Sequence, residues 1–246
     1  MIDLHNHILP GVDDGAHNLE EALDMARQAV AAGTTILAAT PHRFWRGQEI
    51  KADQVDWHVQ RLQGELDRRE IALRLAPGCE INMTPDPVEP LRNSQLMPLG
   101  GRQSRSVLIE PPFDRIPGHA LRLLDELAGL GFTLVLAHPE RNSELQRDLS
   151  FVEACAAKGV ILQLTSGSIL GHFGRDPRVA ANAIALHTDW KVIIASDAHW
   201  SHDRTPALLG AARNQVAAWI GDEAAATRMV EDLPRSLIPP ACEKPE

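Results

Sequence analysis

Cysteine is scarce in this chain, since its 246 residues include three, Cys79, Cys155 and Cys242, and none of them forms a CxxC pair. Disulfide frameworks and thiolate zinc sites need paired or closely spaced cysteines, so both are disfavoured and three free thiols are expected. Tyrosine is absent, and aromatic residues make up 4% of the chain. Such a chain offers few stacking platforms for single-stranded nucleic acid.

Long apolar runs and an excess of basic residues are missing as well. No stretch approaches the roughly 18 consecutive apolar residues that span a bilayer, and the start of the chain lacks the basic segment and apolar run of a signal peptide. The formal net charge of -9 argues against long-range attraction to nucleic acid or to anionic lipid. These features predict a cytoplasmic protein with no nucleic-acid partner and no membrane insertion.

The remaining composition is that of a folded domain, with 44% hydrophobic and 23% charged residues. Short apolar runs alternate with amphipathic helical segments, and the runs show little polar alternation, which is typical of parallel strands buried on both faces. The seven runs cover residues 2–5, 35–40, 72–76 continuing toward Glu80, 106–110, 133–138, 160–165 and 191–196. Seven such units predict a parallel α/β fold, closed or nearly closed into a barrel, with an open doubly wound sheet as the alternative.

Local signals also mark helix ends and the domain boundary. Asn18 followed by Glu21 predicts the start of the first helix, and Gly33 predicts its end. No linker or internal repeat divides the chain, so we expect a single domain over residues 1–235. Residues 236–246 form a Pro-rich C-terminal tail that is expected to pack loosely or not at all.

Histidine and acidic residues stand where the predicted strands end. In a parallel α/β barrel the carboxyl ends of the strands converge on one face, so residues that are distant in sequence become neighbours there. Of the seven predicted strands, only the sixth supplies no obvious ligand. The candidates, in chain order, are His5, His7, Asp14, His42, Glu80, Glu110, His138, Asp197 and His199.

This set of side chains predicts a metal centre. Imidazole nitrogens and carboxylate oxygens without thiolates suit zinc, manganese, iron or cobalt. Nine candidates exceed the roughly four to six positions of one ion, so two or three ions that share a bridging carboxylate are the simplest interpretation. A lone histidine at a strand end is more often structural than a ligand, and the prediction therefore rests on the whole set. The six other histidines are interpreted as structural or exposed.

Six short motifs follow one another along the chain: MIDLHNHILPGVDDG at residues 1–15, ATPH at 39–42, GCEI at 78–81, LIE at 108–110, AHPERN at 137–142 and ASDAH at 195–199, with Arg204 after the last. In this order they resemble the polymerase-and-histidinol-phosphatase (PHP) superfamily. More narrowly, they resemble its bacterial metal-dependent tyrosine-protein phosphatase branch, which is associated with capsule and exopolysaccharide synthesis. The resemblance spans roughly residues 1–215.

This resemblance implies a distorted, TIM-like (β/α)7 barrel with a trinuclear centre that is usually active with manganese. The first ion would be held by His5, His7, Glu80 and Asp197. Glu80 would bridge to the second ion, which is completed by Glu110 and His138. The third ion would be held by Asp14, His42 and His199. Arg141 and Arg204 match the phosphate-contacting arginines of the family.

The implied activity is hydrolysis of a phosphotyrosine protein, either a bacterial tyrosine kinase or another exopolysaccharide-synthesis protein, by a hydroxide that bridges two ions. Four carboxylates and three divalent ions leave the cluster at about +2, so it would attract a phosphate dianion despite the negative net charge of the chain. His42, His199 or a metal-bound water are the candidate proton donors. Aryl phosphates should react fastest, because a phenolate with a conjugate-acid pKa near 10 needs less protonation than an alkoxide.

Three positions depart from the family pattern. Arg43 stands where a second histidine often follows, Asn6 replaces a small residue, and Gly167 interrupts a Ser-Ser pair. Competing functions are a histidinol-phosphate or other small-molecule phosphatase, and a non-catalytic, metal-stabilised adaptor that binds a phosphorylated partner. The superfamily also includes nucleases, against which the acidic balance and low aromatic content argue.

Overall fold

The computed structural model describes residues 1–243, and strands occupy all seven predicted runs. The third run is divided into two short strands, and two further strands form a hairpin that the apolar pattern did not predict. In chain order the strands are β1 Ile2–Asn6, β2 Ile36–Ala39, β3 Phe44–Trp45, β4 Gln48–Glu49, β5 Arg74–Pro77, β6 Glu80–Asn82, β7 Ser106–Glu110, β8 Thr133–Ala137, β9 Ile161–Thr165 and β10 Val192–Ala195.

The main strands form two parallel sheets that meet at both edges. One sheet has the order β1-β2-β5, the other has the order β10-β9-β8-β7-β6, and every pair within them is parallel. Isolated parallel bridges join Asn6 to Ala198 at one seam and His42 to Glu80 at the other. This is the strand order that a distorted (β/α)7 barrel requires, with β5 and β6 sharing the third position. The predicted parallel α/β fold is confirmed.

Helices connect the strands and cover them. The first begins as predicted, because the Asn18 side chain accepts a hydrogen bond from the Glu21 backbone N–H across 3.1 Å, and it is followed by Gly33 at a φ of 90°. The helices are α1 Leu19–Ala31, α2 Ala52–Arg68, α3 Val88–Arg92, α4 Ala120–Gly129, α5 Ser150–Ala157, α6 Ser166–Leu170, α7 Arg175–Ala185, α8 Leu208–Ile220, α9 Glu223–Arg228 and α10 Asp232–Ser236, with 3-10 turns at Pro139–Arg141 and Pro240–Glu243. Within residues 1–243, no helix is both long and apolar enough to cross a membrane.

Alternate strand residues pack into two separate apolar clusters. On β8, Leu134 and Leu136 belong to the large cluster that contains the helix faces, whereas Val135 and Ala137 belong to a smaller one. The smaller cluster draws residues from β1, β2, β5, β7, β8, β9 and β10, so both sheets share one interior. Within residues 1–243 no disulfide joins the three cysteines, and the side chains of all three are buried.

The C-terminal tail also enters this smaller cluster. Leu237, Ile238 and Cys242 are between 4% and 8% exposed, and a Cβ atom on Gly100 would lie 2.4 Å from Pro239 Cδ. The expectation of loose packing is therefore wrong for Leu237, Ile238 and Cys242, because their side chains pack into the smaller apolar cluster and are removed from water. Residues 244–246 of the predicted tail lie outside the described residues, and the domain boundary at residue 235 stays a prediction.

Candidate metal centre

The carboxyl ends of the strands bring all nine predicted ligands together. They form four overlapping groups, in each of which one potential ligand atom per residue lies within 4.8 Å of the others. The groups are His5–His7–Asp197, His5–Glu80–His138, His42–Glu80–Glu110 and His7–Asp14–His42–His199. Among the described residues, none of the six other histidines belongs to such a group.

Each imidazole at the end of β1 is oriented by a buried acceptor. His5 Nδ1 lies 2.9 Å from Gln163 Oε1, and His7 Nδ1 lies 2.7 Å from Asp13 Oδ2. A hydrogen on each Nδ1 leaves a lone pair on each Nε2, as in most histidine ligands of metal sites. The two Nε2 atoms lie 3.2 Å apart. Both are aimed at the centre of the cluster.

The loop after β1 is held against His7 by a close backbone approach. A Cβ atom on Gly15 would lie 1.9 Å from the His7 carbonyl oxygen, so this position has room only for glycine. Asp13 also accepts hydrogen bonds from the backbone N–H groups of Gly15 and His42, each across 3.0 Å. These contacts place Asp14 beside His42 and leave Asp13 to orient His7.

Glu80, the first residue of β6, lies at the middle of the cluster. Its Oε1 is 3.2 Å from His5 Nε2 and 2.8 Å from His138 Nε2. Its Oε2 is 3.4 Å from His7 Nε2 and 2.8 Å from His42 Nδ1. A carboxylate whose two oxygens face different sets of imidazoles has the geometry of a bridging ligand.

The outer ligands surround this centre. Glu110 Oε2 lies 3.9 Å from His42 Nδ1, and Asp14 Oδ1 lies 3.4 Å from His42 Nε2 and 3.5 Å from His199 Nε2. The grouping that the resemblance implies is only partly the same. In the structure Glu80 groups with His5 and His138 and separately with His42 and Glu110, so Glu110 and His138 share no group. His7 also joins the group of Asp14, His42 and His199. How the ligands divide among individual ions stays a prediction.

Two ligand residues have a left-handed backbone conformation at their strand ends. The φ angle is 29° at His138, directly after β8, and 50° at Asp197, two residues after β10. Residues other than glycine adopt such angles at a cost, and they persist where surrounding contacts over-determine them, often at functional sites. The strain supports a functional role for these two positions.

The charges within the cluster shift its pKa values in opposite directions. Burial and the neighbouring charge of Glu80 raise the pKa of Glu110 to about 8. Burial lowers the pKa of His42, but the charge of Glu80 and hydrogen bonds to Asp14 and Glu80 together outweigh burial and raise that pKa to about 10. Burial and the charge of His7 lower the pKa of His199 to about 4. Burial raises the pKa of Glu80, yet the charges of His5 and His42 hold it well below its usual range.

This donor set fits divalent cations. The Nε2 atoms of His5 and His7 face each other and also face oxygens of Glu80 and Asp197 at 3.2 to 3.6 Å, so four donor groups converge on one point, as the ligands of a cation do. Asp14 Oδ1 is buried and has no hydrogen-bond partner within residues 1–243. Nitrogen and carboxylate donors without sulfur suit manganese, iron, zinc or cobalt.

The two predicted phosphate-binding arginines lie beside the cluster. Arg141 Nη1 and Arg204 Nη2 each lie 2.7 Å from Asp197 Oδ2, and both side chains are about one-fifth exposed. Arg141 belongs to the 3-10 turn that follows β8, and Arg204 to the loop that follows β10. Arg204 Nε is buried and has no partner among the described residues, so it is a donor left available for a ligand.

A small polar cavity of about 140 Å³ adjoins the cluster on the His42 side. The β3–β4 hairpin forms one wall, and the ring of Trp45 stacks on His42 at a centroid distance of 6.3 Å. The hairpin escaped prediction because strands of two residues carry no periodicity. The turn itself has positive φ angles at Arg46 and Gly47, of 48° and 78°, as two-residue hairpin loops require.

Two orienting residues were also missed by the sequence analysis. Asp13 was passed over in favour of its neighbour Asp14, and the sixth strand was judged to supply no ligand. That strand, β9, supplies Gln163, which is fully buried and accepts from His5 Nδ1 and from the His138 backbone N–H. A buried amide in the middle of an apolar strand is the signal that would have identified it.

Two of the three departures from the family pattern have a local explanation. Arg43 is buried within the hairpin, where its Nε lies 2.9 Å from Glu49 Oε1 and its guanidinium carbon lies 4.6 Å from the Phe44 ring centroid. Asn6 is buried and donates from Nδ2 to Ser196 Oγ across 3.1 Å, which helps to close the seam between β1 and β10. Neither residue belongs to the ligand groups found in the described part of the chain.

Comparison with known proteins agrees with this geometry. Residues 1–238 match the family model described as capsular polysaccharide synthesis, CpsB/CapC. The chain belongs to the CpsB/CapC family. The relationship predicted from the motifs is thereby confirmed.

Members of the CpsB/CapC family share most of their length with this chain. The tyrosine-protein phosphatase YwqE of Bacillus subtilis is 36% identical over 199 residues, which cover 81% of this chain and 77% of YwqE. The tyrosine-protein phosphatase CpsB of Streptococcus pneumoniae is 28% identical over 244 residues, which cover 97% of this chain and 98% of CpsB.

A crystal structure from work on YwqE and CpsB, described there as metal-dependent tyrosine phosphatases, has a TM-score of 0.90 to this chain. Sequence identity between the two is 32%, and the match covers 97% of this chain and 94% of that chain. The likeness therefore extends over nearly the whole fold.

Proposed function

We propose that this protein is a metal-dependent phosphomonoester hydrolase that acts as a protein-tyrosine phosphatase. The observation that carries the proposal is the collection of nine imidazole and carboxylate ligands beside two arginines at one end of the strands. The CpsB/CapC relatives named tyrosine-protein phosphatases support the same activity. Manganese is the proposed ion, with iron, zinc and cobalt as alternatives of similar ligand preference.

We assign three ions to the cluster. Nine ligands exceed the roughly four to six positions of one ion, and the resemblance to the phosphatase branch implies three. The first set of ligands is His5, His7, Glu80 and Asp197. The second set is Glu80, Glu110 and His138. The third set is Asp14, His42 and His199. When bound, divalent cations supply Lewis-acid stabilisation of the phosphoryl oxygens and lower the pKa of the attacking water.

Arg141 and Arg204 bind the phosphoryl group in this proposal. Their guanidinium groups come from different strand ends and converge beside the ligand cluster, where they are mostly desolvated. Charge-assisted hydrogen bonds in such surroundings are strong, and planar guanidinium groups match two phosphate oxygens at once. They would stabilise charge on the equatorial oxygens as the phosphoryl group transfers.

His42 and His199 take part through the third set of ligands. A histidine nitrogen that holds an ion cannot donate a proton at the same time, so the leaving group departs with little help from either ring. A phenolate tolerates this because its conjugate acid has a pKa near 10, well below that of an alkyl alcohol. This favours aryl phosphates such as phosphotyrosine over alkyl phosphates.

The proposed substrate is a tyrosine-phosphorylated protein of the capsule or exopolysaccharide machinery, such as a bacterial tyrosine kinase. The proposed place of the reaction is the cytoplasm. The capsular-polysaccharide description of the family supports this choice. A histidinol phosphatase or another small-molecule phosphatase would use the same centre, and a comparison of substrates separates the two.

The experiment measures turnover of a phosphotyrosine peptide, histidinol phosphate and single-stranded DNA by the manganese-loaded protein. We expect the phosphotyrosine peptide to have the highest kcat/KM. A variant with both His5→Ala and His7→Ala should lose activity and metal while retaining the fold by circular dichroism. Preference for histidinol phosphate would reassign the substrate, and full activity of metal-free protein would refute the proposal.

A further inference from the structure

One aromatic ring contacts both phosphate-binding arginines. The centroid of the Phe173 ring lies 4.6 Å from the guanidinium carbon of Arg141 and 5.5 Å from that of Arg204. These arginines come from loops after two different strands, β8 and β10. The half-buried ring is therefore a contact common to both groups. Both arginines also pair with Asp197, and Arg141 lies over a second ring, that of Phe113, with 4.7 Å between its guanidinium carbon and the ring centroid.

The turn that carries Phe173 is fixed by its backbone. It lies between α6 and α7, where Gly171 and Gly174 have φ angles of 86° and 95°, in the region that favours glycine. The His172 N–H donates to the Gly167 carbonyl oxygen across 2.8 Å. The chain thus turns back on α6 and lays the ring of Phe173 against the backbone of Gly167.

Gly167 provides the space that the ring occupies. A Cβ atom there would lie 2.8 Å from Phe173 Cε2 and 2.9 Å from Phe173 Cζ, closer than carbon atoms approach without displacement. Gly167 lies inside α6, so close approach of the ring, and not backbone conformation, explains the glycine. The departure from a Ser-Ser pair at this position is therefore matched to an aromatic residue six positions later.

The Phe173 ring stabilises two positive charges that lie close together. Two positively charged guanidinium groups each lie 2.7 Å from the same oxygen, Asp197 Oδ2. They are therefore close together and repel each other. The face of an aromatic ring carries negative potential and attracts guanidinium groups placed over it. A ring that contacts both arginines attracts both and limits the directions that each side chain adopts.

We propose that Phe173 is a positioning residue that holds Arg141 and Arg204 in the arrangement that binds the phosphoryl group, and that Gly167 is required to seat it. The inference rests on the proposed function, since it assumes that the two arginines bind phosphate. Phe173 acts through the arginines and touches no reacting atom.

The first test is phosphate affinity of the manganese-loaded protein, measured by calorimetry with inorganic phosphate. Phe173→Leu keeps an apolar side chain but removes the ring, so we expect phosphate binding to weaken by about three- to tenfold, in the range of lost cation–π contacts. Phe173→Tyr retains the ring and should bind phosphate as the unsubstituted protein does. In turnover of p-nitrophenyl phosphate, KM should rise more than kcat falls, and manganese content should stay unchanged.

The second test is a double-mutant cycle between Gly167 and Phe173. Gly167→Ala should weaken phosphate binding by displacing the ring, but in the Phe173→Leu background the same substitution should have little further effect. Fully additive effects would overturn the inference, because they would show that Gly167 does not act through the ring. Unchanged phosphate affinity in Phe173→Leu would also overturn it.

Phe132 provides a matched control. It also lies under an arginine, with 5.6 Å between its ring centroid and the guanidinium carbon of Arg105, but it precedes β8 at the opposite end of the strands. Phe132→Leu should leave phosphate affinity unchanged, and an equal loss in this variant would overturn the inference. If the unsubstituted protein did not bind phosphate, the proposed function and the inference would both be overturned. If it bound phosphate and Phe173→Leu bound it equally well, only the inference would be overturned.

Discussion

Arg141 and Asp197 form a partly buried ion pair in which Nη1 of the arginine donates to Oδ2 of the carboxylate across 2.7 Å. Arg204 reaches the same oxygen, whereas Oδ1 faces His5 Nε2 at 3.5 Å and His7 Nε2 at 3.6 Å. Burial raises the pKa of Asp197, but the charges of Arg204 and His5 hold it well below its usual range. One carboxylate therefore connects the two proposed phosphate-binding arginines to the candidate metal ligands.

The first prediction concerns the arginine of this pair. Arg141→Ala should lower kcat/KM for p-nitrophenyl phosphate by about ten- to a hundredfold, the value of a lost charge-assisted hydrogen bond. Manganese content should be retained, because Asp197 keeps Arg204 and its Oδ1 still faces the imidazoles. Arg213→Ala is the control, since Arg213 contacts Thr227 and Glu223 away from the cluster. An unchanged kcat/KM in Arg141→Ala would remove the residue from phosphate binding.

Gln163 is predicted to set metal affinity without being a ligand. Gln163→Leu keeps the volume but removes the acceptor that orients His5 and the His138 backbone, so we expect manganese affinity to fall by about ten- to a hundredfold. Equilibrium dialysis with elemental analysis measures it. Gln63 is a matched control, because its side chain also bonds two backbone groups, at Leu73 and Leu75, and Gln63→Leu should leave metal affinity unchanged. Equal metal affinity in both variants would argue against orientation by Gln163.

Metal affinity should depend on pH. In the metal-free protein the pKa of His42 is raised to about 10 and that of Glu110 to about 8, so both groups carry protons at pH 7. A cation must displace these protons, and apparent affinity should therefore fall by about tenfold per pH unit for each proton displaced as the pH drops from 8 to 6. Manganese titrations across this range measure the slope.

The variant Glu110→Gln separates the two contributions. Without a titrating group at position 110, binding displaces one proton fewer, so below pH 8 the affinity should change by about tenfold less per pH unit. Overall affinity should also fall, because a ligand is lost. A flat dependence between pH 6 and 8 in the unsubstituted protein would contradict the proton competition.

The sequence was sufficient to predict the parallel fold and the convergence of the candidate ligands for one physical reason. Strands buried on both faces must be continuously apolar, so polar residues at their carboxyl ends are conspicuous, as at His5, Glu110 and His138. Parallel strands then place these ends at one edge whatever their separation along the chain. The nine candidates and the grouping in space follow from that rule.

Other features depended on packing that no local pattern encodes. The break between β5 and β6 arises where the third position of the ring changes partner from β2 to β7. Leu237 and Ile238 follow a short helix and stand in a Pro-rich segment, so nothing in their neighbourhood indicated burial. Gln163 is visible in the sequence as a polar residue within an apolar strand. Its role, however, depends on His5 and His138, which lie 158 and 25 positions away along the chain.

The packed tail leads to a prediction on stability. Ile238 is 6% exposed and contacts the interior cluster, so Ile238→Ala should lower the free energy of unfolding by about 2 to 4 kcal/mol through lost burial and a residual cavity. Leu186 is 53% exposed, and Leu186→Ala should change it by less than about 0.5 kcal/mol. Urea unfolding measures both, and equal stability of the two variants would show that the tail does not stabilise the fold.

The most direct test of the metal centre is anomalous diffraction at the manganese edge from crystals of the manganese-loaded protein. The account predicts three manganese peaks within the cluster, with Glu80 shared between two of them and with activity toward a phosphotyrosine peptide in the same preparation. A cluster without manganese peaks, in protein that hydrolyses the peptide at full rate after exhaustive chelation, would contradict it.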